Sequence, residues 1–286
     1  MFPEEDMPGV DYIIPDIESL LPKRDKIKGI IITHAHYDHI GGVPHLMTPL
    51  GLHLPLYGTD LTLAIIAKRQ HDYHTLKPLN LNEINNETKL DMGAFQVEFF
   101  GVSHNIPGSV GAIIHTPVGI LIHTGDFKVD LRSSIGGVTE MEKLDAIGKK
   151  GVLLLMSDST NAREPGSQFS ETDIQHEMEA IIRNATGRLI IGTFASLLGR
   201  LNEILQIAEK CGKHVVIDGR SMKTNIEIAE RLGYIKFNRN IVVDMMDINK
   251  YPSNNIIILA TGAQGEENAV LMRIVSGRHK FLHIEP

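Results

Sequence analysis

The segment Thr33-His34-Ala35-His36-Tyr37-Asp38-His39-Ile40-Gly41-Gly42 places three imidazoles and a carboxylate within six residues. A single histidine at a strand end is ordinarily structural, whereas four metal-binding side chains in H-x-H-x-D-H order ahead of Gly-Gly form a ligand pattern. On an extended backbone His34 and His36 point to one side. Asp38 and His39 enter the following turn and face a neighbouring position, so two adjacent cations can be served. Neutral imidazole with carboxylate suits Zn²⁺, with Mn²⁺ the next candidate, and mixed nitrogen and oxygen donors leave positions open for water. That is the donor chemistry of a hydrolytic metal centre.

The elements that must position these groups can be read around them. The apolar run Ile27–Ile32 predicts a buried strand that delivers the motif. Ile40–Met47 predicts a short helix, Leu54–Gly58 a strand, and Thr59 caps a helix running to about Tyr73. Leu90–Val102, with Phe95, Val97 and Phe99 on alternate positions, predicts one half-buried strand ending at Ser103-His104. Gly111–Thr116 and Gly119–Thr124 predict a hairpin that carries Gly125-Asp126-Phe127 at its far end. His104 and Asp126 are thus further strand-end donors. If these strand ends share one rim, His34, His36 and His104 can hold one cation and Asp38, His39 and Asp126 a second, with Asp126 able to bridge.

From Gly151 the pattern becomes a strand-helix rhythm: strands at 152–156, 188–191, 214–217 and 256–260, helices at 170–184, 198–210, 221–232 and 266–275. Such alternation predicts a mainly parallel sheet. The turn-rich loop 158–166 is the expected seam between two domains. A formal charge of −7 argues against broad non-specific binding of nucleic acid, yet a local cleft with bound dications can still hold phosphate on an acidic protein. The lone Cys211 removes disulfides and cysteine ligands from consideration. With an acidic, proline-bearing start and no long apolar run, a cytoplasmic protein without membrane association is expected.

The H-x-H-x-D-H loop with a later His104 and a later Asp126 resembles the metallo-β-lactamase fold. A finer resemblance, to ribonuclease J of the β-CASP subgroup, rests on five stretches: 2–11, His123-Thr124-Gly125-Asp126-Phe127-Lys128, Ser157-Asp158-Ser159-Thr160-Asn161-Ala162, Gly219-Arg220-Ser221-Met222 and Thr261–Glu266. It implies an αββα metallo-β-lactamase-type sandwich, incomplete here, over residues 1–160, and an inserted β-CASP α/β domain of mainly parallel sheet over 161–286. The implied activity is 5′-to-3′ exonuclease and endonuclease cleavage of RNA, preferably 5′-monophosphorylated, in rRNA processing and mRNA decay. Two Zn²⁺ per complete site are implied, Mn²⁺ being possible, with an activated hydroxide attacking the phosphodiester. Asp38, His39, Asp126 and Asp158 are the catalytic candidates, Asp158 standing at the β-CASP acidic position and supporting the ligands from behind.

The chain reads as the middle of such a protein. The family's opening strands, a further histidine ligand, an H-x-S-G-H-like phosphate-holding stretch and the C-terminal domain associated with homodimers or higher homo-oligomers are not found in residues 1–286. Leu197 and Gly199 also stand where relatives often carry Asn and His. Arg200, Arg220, Lys223 and Arg273 read either as an RNA path or as solvated helix faces. His123, three residues before Asp126, is a candidate supporting group, and the Gly262–Glu266 turn is a weak candidate for phosphate contact. Two other readings stay open: a different hydrolase of this fold acting on small esters or thioesters, and an inactive fragment.

Overall fold

The computed structural model describes residues 7–10, 13–72, 77–129, 137–166, 170–266 and 269–283. The chain divides into two compact units, Met1–Pro165 and Gly166–Pro286.

The first unit is built on two sheets. Strands β1 (Ile30–Ile31), β2 (Leu56–Gly58) and β3 (Leu81–Glu83) form a parallel sheet in that order. Between them run α1 (Tyr37–Ile40), α2 (Val43–Leu50) and α3 (Asp60–Asp72). The second sheet, in the order β4 (Lys89–Asp91), β5 (Gln96–Gly101), β6 (Val110–Thr116), β7 (Gly119–His123), β8 (Leu154–Met156), is antiparallel except for its last pair. Helix α4 (Met141–Gly148) lies against its outer face.

Consecutive phenylalanines on β5 explain the layering. Side chains alternate across a strand, so Phe99 joins Val97, Val110 and Ala112 in a core shared with Ile31 and Tyr57 of the first sheet. Phe100 joins Ile113, Ile122 and Ile147 under α4. Both rings are essentially inaccessible to water, at 0% and 1% exposure. The result is the α/β/β/α layering expected from the sequence.

Several readings change in detail. The strand before the motif is only Ile30–Ile31, because Leu21–Lys26 forms a 3₁₀ helix and the chain reaches the sheet late. Leu90–Val102 is a hairpin and not one strand: Gly93 adopts φ +79°, and Phe95, counted as an inward residue, is exposed beside that turn. Strand β3 and helix α4 were not foreseen. At the far edge of the second sheet, Leu153, Leu154, Leu155 and Met156 are all exposed, an apolar run of the kind found in strands covered on both faces.

The second unit carries α5 (Glu171–Asn184), β9 (Leu189–Gly192), α6 (Leu198–Lys210), β10 (His214–Asp218), α7 (Arg220–Arg231), β11 (Ile256–Ala260) and α8 (Val270–Val275). Its sheet is parallel, in the order β10-β11-β9. Strand β11 is buried along its whole length, as a central strand with both faces covered must be. The last helix begins at Val270, later than the sequence suggests, and the Gly262–Glu266 turn precedes it with residues 267–268 outside the described set.

Candidate metal centre

Three loops of the first unit meet where the motif leaves β1. The junction is made by backbone. Val110 N–H donates to Thr33 O at 3.0 Å, which ties the start of β6 to the first residue of the motif. Gly125 turns the chain after β7 with φ +61°, and a Cβ there would lie 2.9 Å from Thr33 Cβ and 3.1 Å from Val110 O. Only glycine tolerates both the dihedral and the approach, and Asp126 is thereby delivered beside His34. Gly125 N–H also donates to His123 Nδ1 at 3.0 Å, so His123 shapes this turn rather than facing the donors.

The His104 loop is tied to the Asp126 loop in the same way. Lys128 N–H donates to Ser103 O at 2.8 Å, and Thr139 Oγ1 accepts from Ser103 N–H while donating to Lys128 O. Thr139 is buried and its single hydroxyl serves both segments.

The resulting geometry has two groups of donors. His34 Nε2 lies 3.1 Å from His36 Nδ1, and His104 Nε2 lies 3.0 Å from that same atom. Asp126 Oδ2 stands 3.7 Å from His34 Nε2 and 3.9 Å from His104 Nε2. Asp38, His39 and Asp126 form the second group, with His39 Nε2 3.5 Å from Asp38 Oδ2 and 3.4 Å from Asp126 Oδ2. Donors around a tetrahedral ion with bonds near 2.0–2.1 Å are separated by roughly 3.3 Å. These spacings surround that value, so the residues present fit small divalent cations. All six donors expected from the sequence converge, and Asp126 belongs to both groups.

Asp158 is not among the donors. Its carboxylate accepts from Thr160 N–H at 2.9 Å and Thr160 Oγ1 at 2.6 Å, and its own N–H donates to Thr124 Oγ1 at 3.0 Å. Burial disfavours the charged form, but hydrogen bonds from Thr160 and from the N–H groups of Phe127 and Ser159 outweigh it and hold the carboxyl below its usual range. The bond from Phe127 ties Asp158 to the residue beside Asp126.

Electrostatics favour metal binding. Burial pushes His34 down to about 2, with His39, His36 and His104 adding to the effect. Burial and then His104 bring His36 to about 4, against the opposing carboxylates of Asp38 and Asp126. Burial and then His39 bring His104 to about 4, with Asp158 opposing. The three imidazoles are therefore neutral, as ligands must be. In the metal-free protein they leave stability untouched above about pH 6.5, where folded and unfolded chains are both neutral. Below that, the unfolded chain takes up protons first, and stability falls with pH until His36 and His104 titrate near 4. Urea unfolding of chelator-treated protein at three pH values between 7.5 and 5 should show this fall, with a smaller slope for His36→Gln.

Among the other sequence candidates, Arg200 is engaged within its own unit, with Nη2 2.5 Å from Glu171 Oε2 and Nε 3.2 Å from Glu203 Oε2. Arg220, Lys223 and Arg273 are exposed. His74 lies outside the described residues. One pair escaped the sequence reading: buried His279 faces Asp218 Oδ2 at 2.9 Å, while its Nδ1 accepts from Leu282 N–H at 3.0 Å. Both ring nitrogens are used, which makes this a tether.

The comparisons agree with this geometry. The β-lactamase superfamily domain matches residues 8–179, and the β-CASP domain of ribonuclease J matches residues 186–286. Ribonuclease J of Thermus thermophilus is 39% identical over the whole chain, which covers 50% of that protein. Ribonuclease J 1 of Streptococcus pyogenes is 37% identical and Ribonuclease J2 of Bacillus subtilis 35%, again over the whole chain. The chain thus spans about half the length of these relatives. A crystal structure of a protein of unknown function from Enterococcus faecalis shares the fold, with a TM-score of 0.58 at 19% identity over 81% of this chain and 58% of that one. No helix among the described residues is long and apolar enough to cross a membrane. With the half that carries the donor cluster matched to one domain and the parallel-sheet half to the other, the chain belongs to the β-lactamase superfamily and carries the β-CASP domain of ribonuclease J.

Proposed function

We propose that this chain supplies the metal centre of a ribonuclease J-type enzyme that hydrolyses RNA phosphodiesters, as a 5′-to-3′ exonuclease on 5′-monophosphorylated ends and as an endonuclease. The reading takes residues 1–160 as the metallo-β-lactamase domain and 161–286 as the β-CASP domain. The observation that carries it is the meeting of two donor groups at the single oxygen Asp126 Oδ2. His34, His36, His104 and Asp126 would hold one cation, and Asp38, His39 and Asp126 the other, with Zn²⁺ matched to the donors and Mn²⁺ the alternative. Two such cations lower the pKa of a shared water and neutralise charge building on the scissile phosphate.

The chain's own groups do the positioning. Asp126 sets the separation of the two groups. The Asp38 side chain is 70% exposed, which leaves it open to orient an attacking water and accept its proton. Asp158 holds the Asp126–Phe127 turn through Phe127. That its relatives are ribonucleases supports RNA as the substrate, and RNA processing and decay in the cytoplasm, by a homo-oligomer, is the setting this reading implies.

The test is cleavage of one RNA carrying either a 5′-monophosphate or a 5′-hydroxyl, by the chain completed with the flanking sequence of its relatives. Chelator-sensitive release of nucleotides, faster from the monophosphate, supports the proposal. Hydrolysis of a small thioester with RNA untouched would assign the other hydrolase class, and neither activity would leave the inactive-fragment reading standing.

A further inference from the structure

The two donor groups differ in how they are held. His34 and His104 follow strands and are locked by the backbone bonds through Thr33, Val110 and Ser103, while His36 is the residue before α1, its carbonyl accepting from His39 and Ile40 N–H. Asp38 and His39 ride on α1, a single turn of four residues with no side-chain cap. A helix that short has no stability of its own. Within the turn, Gly41 N–H donates to Tyr37 O, and Ile40, 2% exposed, anchors one side. Three residues before Ile40, on the same face of the turn, stands Tyr37, the residue directly ahead of Asp38.

The Tyr37 ring is confined on two sides. A Cβ at Gly41 would lie 3.1 Å from its Cζ and 3.2 Å from its Cε2, so glycine lets the ring fold back along its own turn. Over the ring, at 4.0 Å from its centroid, sits the guanidinium carbon of Arg69, from the last turn of α3. That approach is a cation–π contact of close geometry. Among the described residues, Arg69 Nε is buried and has no hydrogen-bond partner, so this edge of the guanidinium is committed to neither water nor any described carboxylate. A charged group left with an unmet N–H is costly, and the aromatic face is the compensation the structure offers.

We infer that Arg69, stacked on Tyr37, is a positioning residue that clamps α1 and thereby sets the affinity of the Asp38–His39–Asp126 group for its cation. The inference rests on the two-cation reading above. It follows that Arg69 acts chiefly on the group that α1 carries, because its ring contact is with Tyr37 of that turn, whereas His34 and His104 stand outside α1 and His36 meets it only as the residue before it. It also follows that the contact works through the ring face and not through the Tyr37 hydroxyl.

The experiment is Zn²⁺ binding to the metal-stripped chain, completed as above with the flanking sequence of its relatives, by competition with a chromophoric chelator, with Co²⁺ absorption as an independent measure of stoichiometry and coordination. In Arg69→Ala the weaker of two binding steps should lose about 10-fold or more in affinity, the scale seen when groups supporting metal ligands are removed, while the tighter step stays within about twofold. Tyr37→Leu should reproduce the loss, Tyr37→Phe should not, and Arg69→Lys should restore more affinity than Arg69→Gln. Two full-strength binding steps in both Arg69→Ala and Tyr37→Leu would overturn the inference and leave the two-cation reading intact. Equal weakening of both steps would overturn it too, by reducing Arg69 to a general stability role. A wild-type chain that takes up fewer than two Zn²⁺ would overturn both.

Discussion

On the two-cation reading, replacing Asp126 with alanine should weaken the hold on both cations at once. The same oxygen of Asp126 lies within 3.4–3.9 Å of His39, His34 and His104, so its removal takes a charged donor from each group at once. The remaining donors divide into three neutral imidazoles on one side and Asp38 with His39 on the other. Metal content measured after dialysis should fall from two equivalents toward one or none. Cleavage of 5′-monophosphorylated RNA by the completed protein should drop by about 10²–10³-fold or more, the scale of losing one preorganised electrostatic group. His104→Ala is the informative comparison: it weakens the first group and leaves the second its full set. Unaltered cleavage by the Asp126 variant would rule out the metal assignment.

The second large effect concerns stability in the other unit. Glu203 is 1% exposed, and Arg200, at 17%, stands between it and Glu171 at 13%. Removing one member of such a network leaves buried charge uncompensated, at a cost of about 3–5 kcal/mol, whereas replacing the set with apolar side chains of similar volume is often neutral. Arg200→Ala should therefore destabilise the second unit by that amount. Arg200→Met combined with Glu203→Leu and Glu171→Leu should recover most of it. Hydrogen exchange followed on peptides from 170–266 reads the effect locally. If Arg200→Ala left exchange in α5 and α6 unchanged, the network would be a surface feature without weight. Any loss of RNA binding in an Arg200 variant has to be read against this role, because the guanidinium is already occupied.

What could be read from the sequence follows from how local each signal is. The motif at 33–42 is contiguous, and the strand-end positions of His104 and Asp126 follow from apolar runs next to them, so all six donors could be named without coordinates. Strand β11 and helices α5, α6 and α7 were legible for the same reason: each carries its own period. The hairpin at 89–101 was misread because Phe95 continues the alternation of Val97 and Phe99 while sitting at a turn, where Gly93 was the only contrary signal. Thr139 and Arg69 could not have been found. Their importance comes from partners 36 and 32 residues away, through one hydroxyl and one stacked ring, and neither leaves a periodic trace. Arg200 shows the opposite failure: helical spacing sets it on a helix face with Glu203 three residues on, and only the fold reveals that Glu203 is buried and that Glu171 stands against the same guanidinium.

The carboxylates around the centre carry one more implication. Asp38, Asp126 and Asp158 stand among imidazoles that burial and mutual repulsion keep uncharged, so without cations the donor cluster is negative in a protein already negative overall. A polyanion approaching it is turned away. On the ribonuclease reading proposed above, seating two doubly charged ions would reverse the sign of the local field and make the ions a condition for RNA to dock as well as for it to be cut.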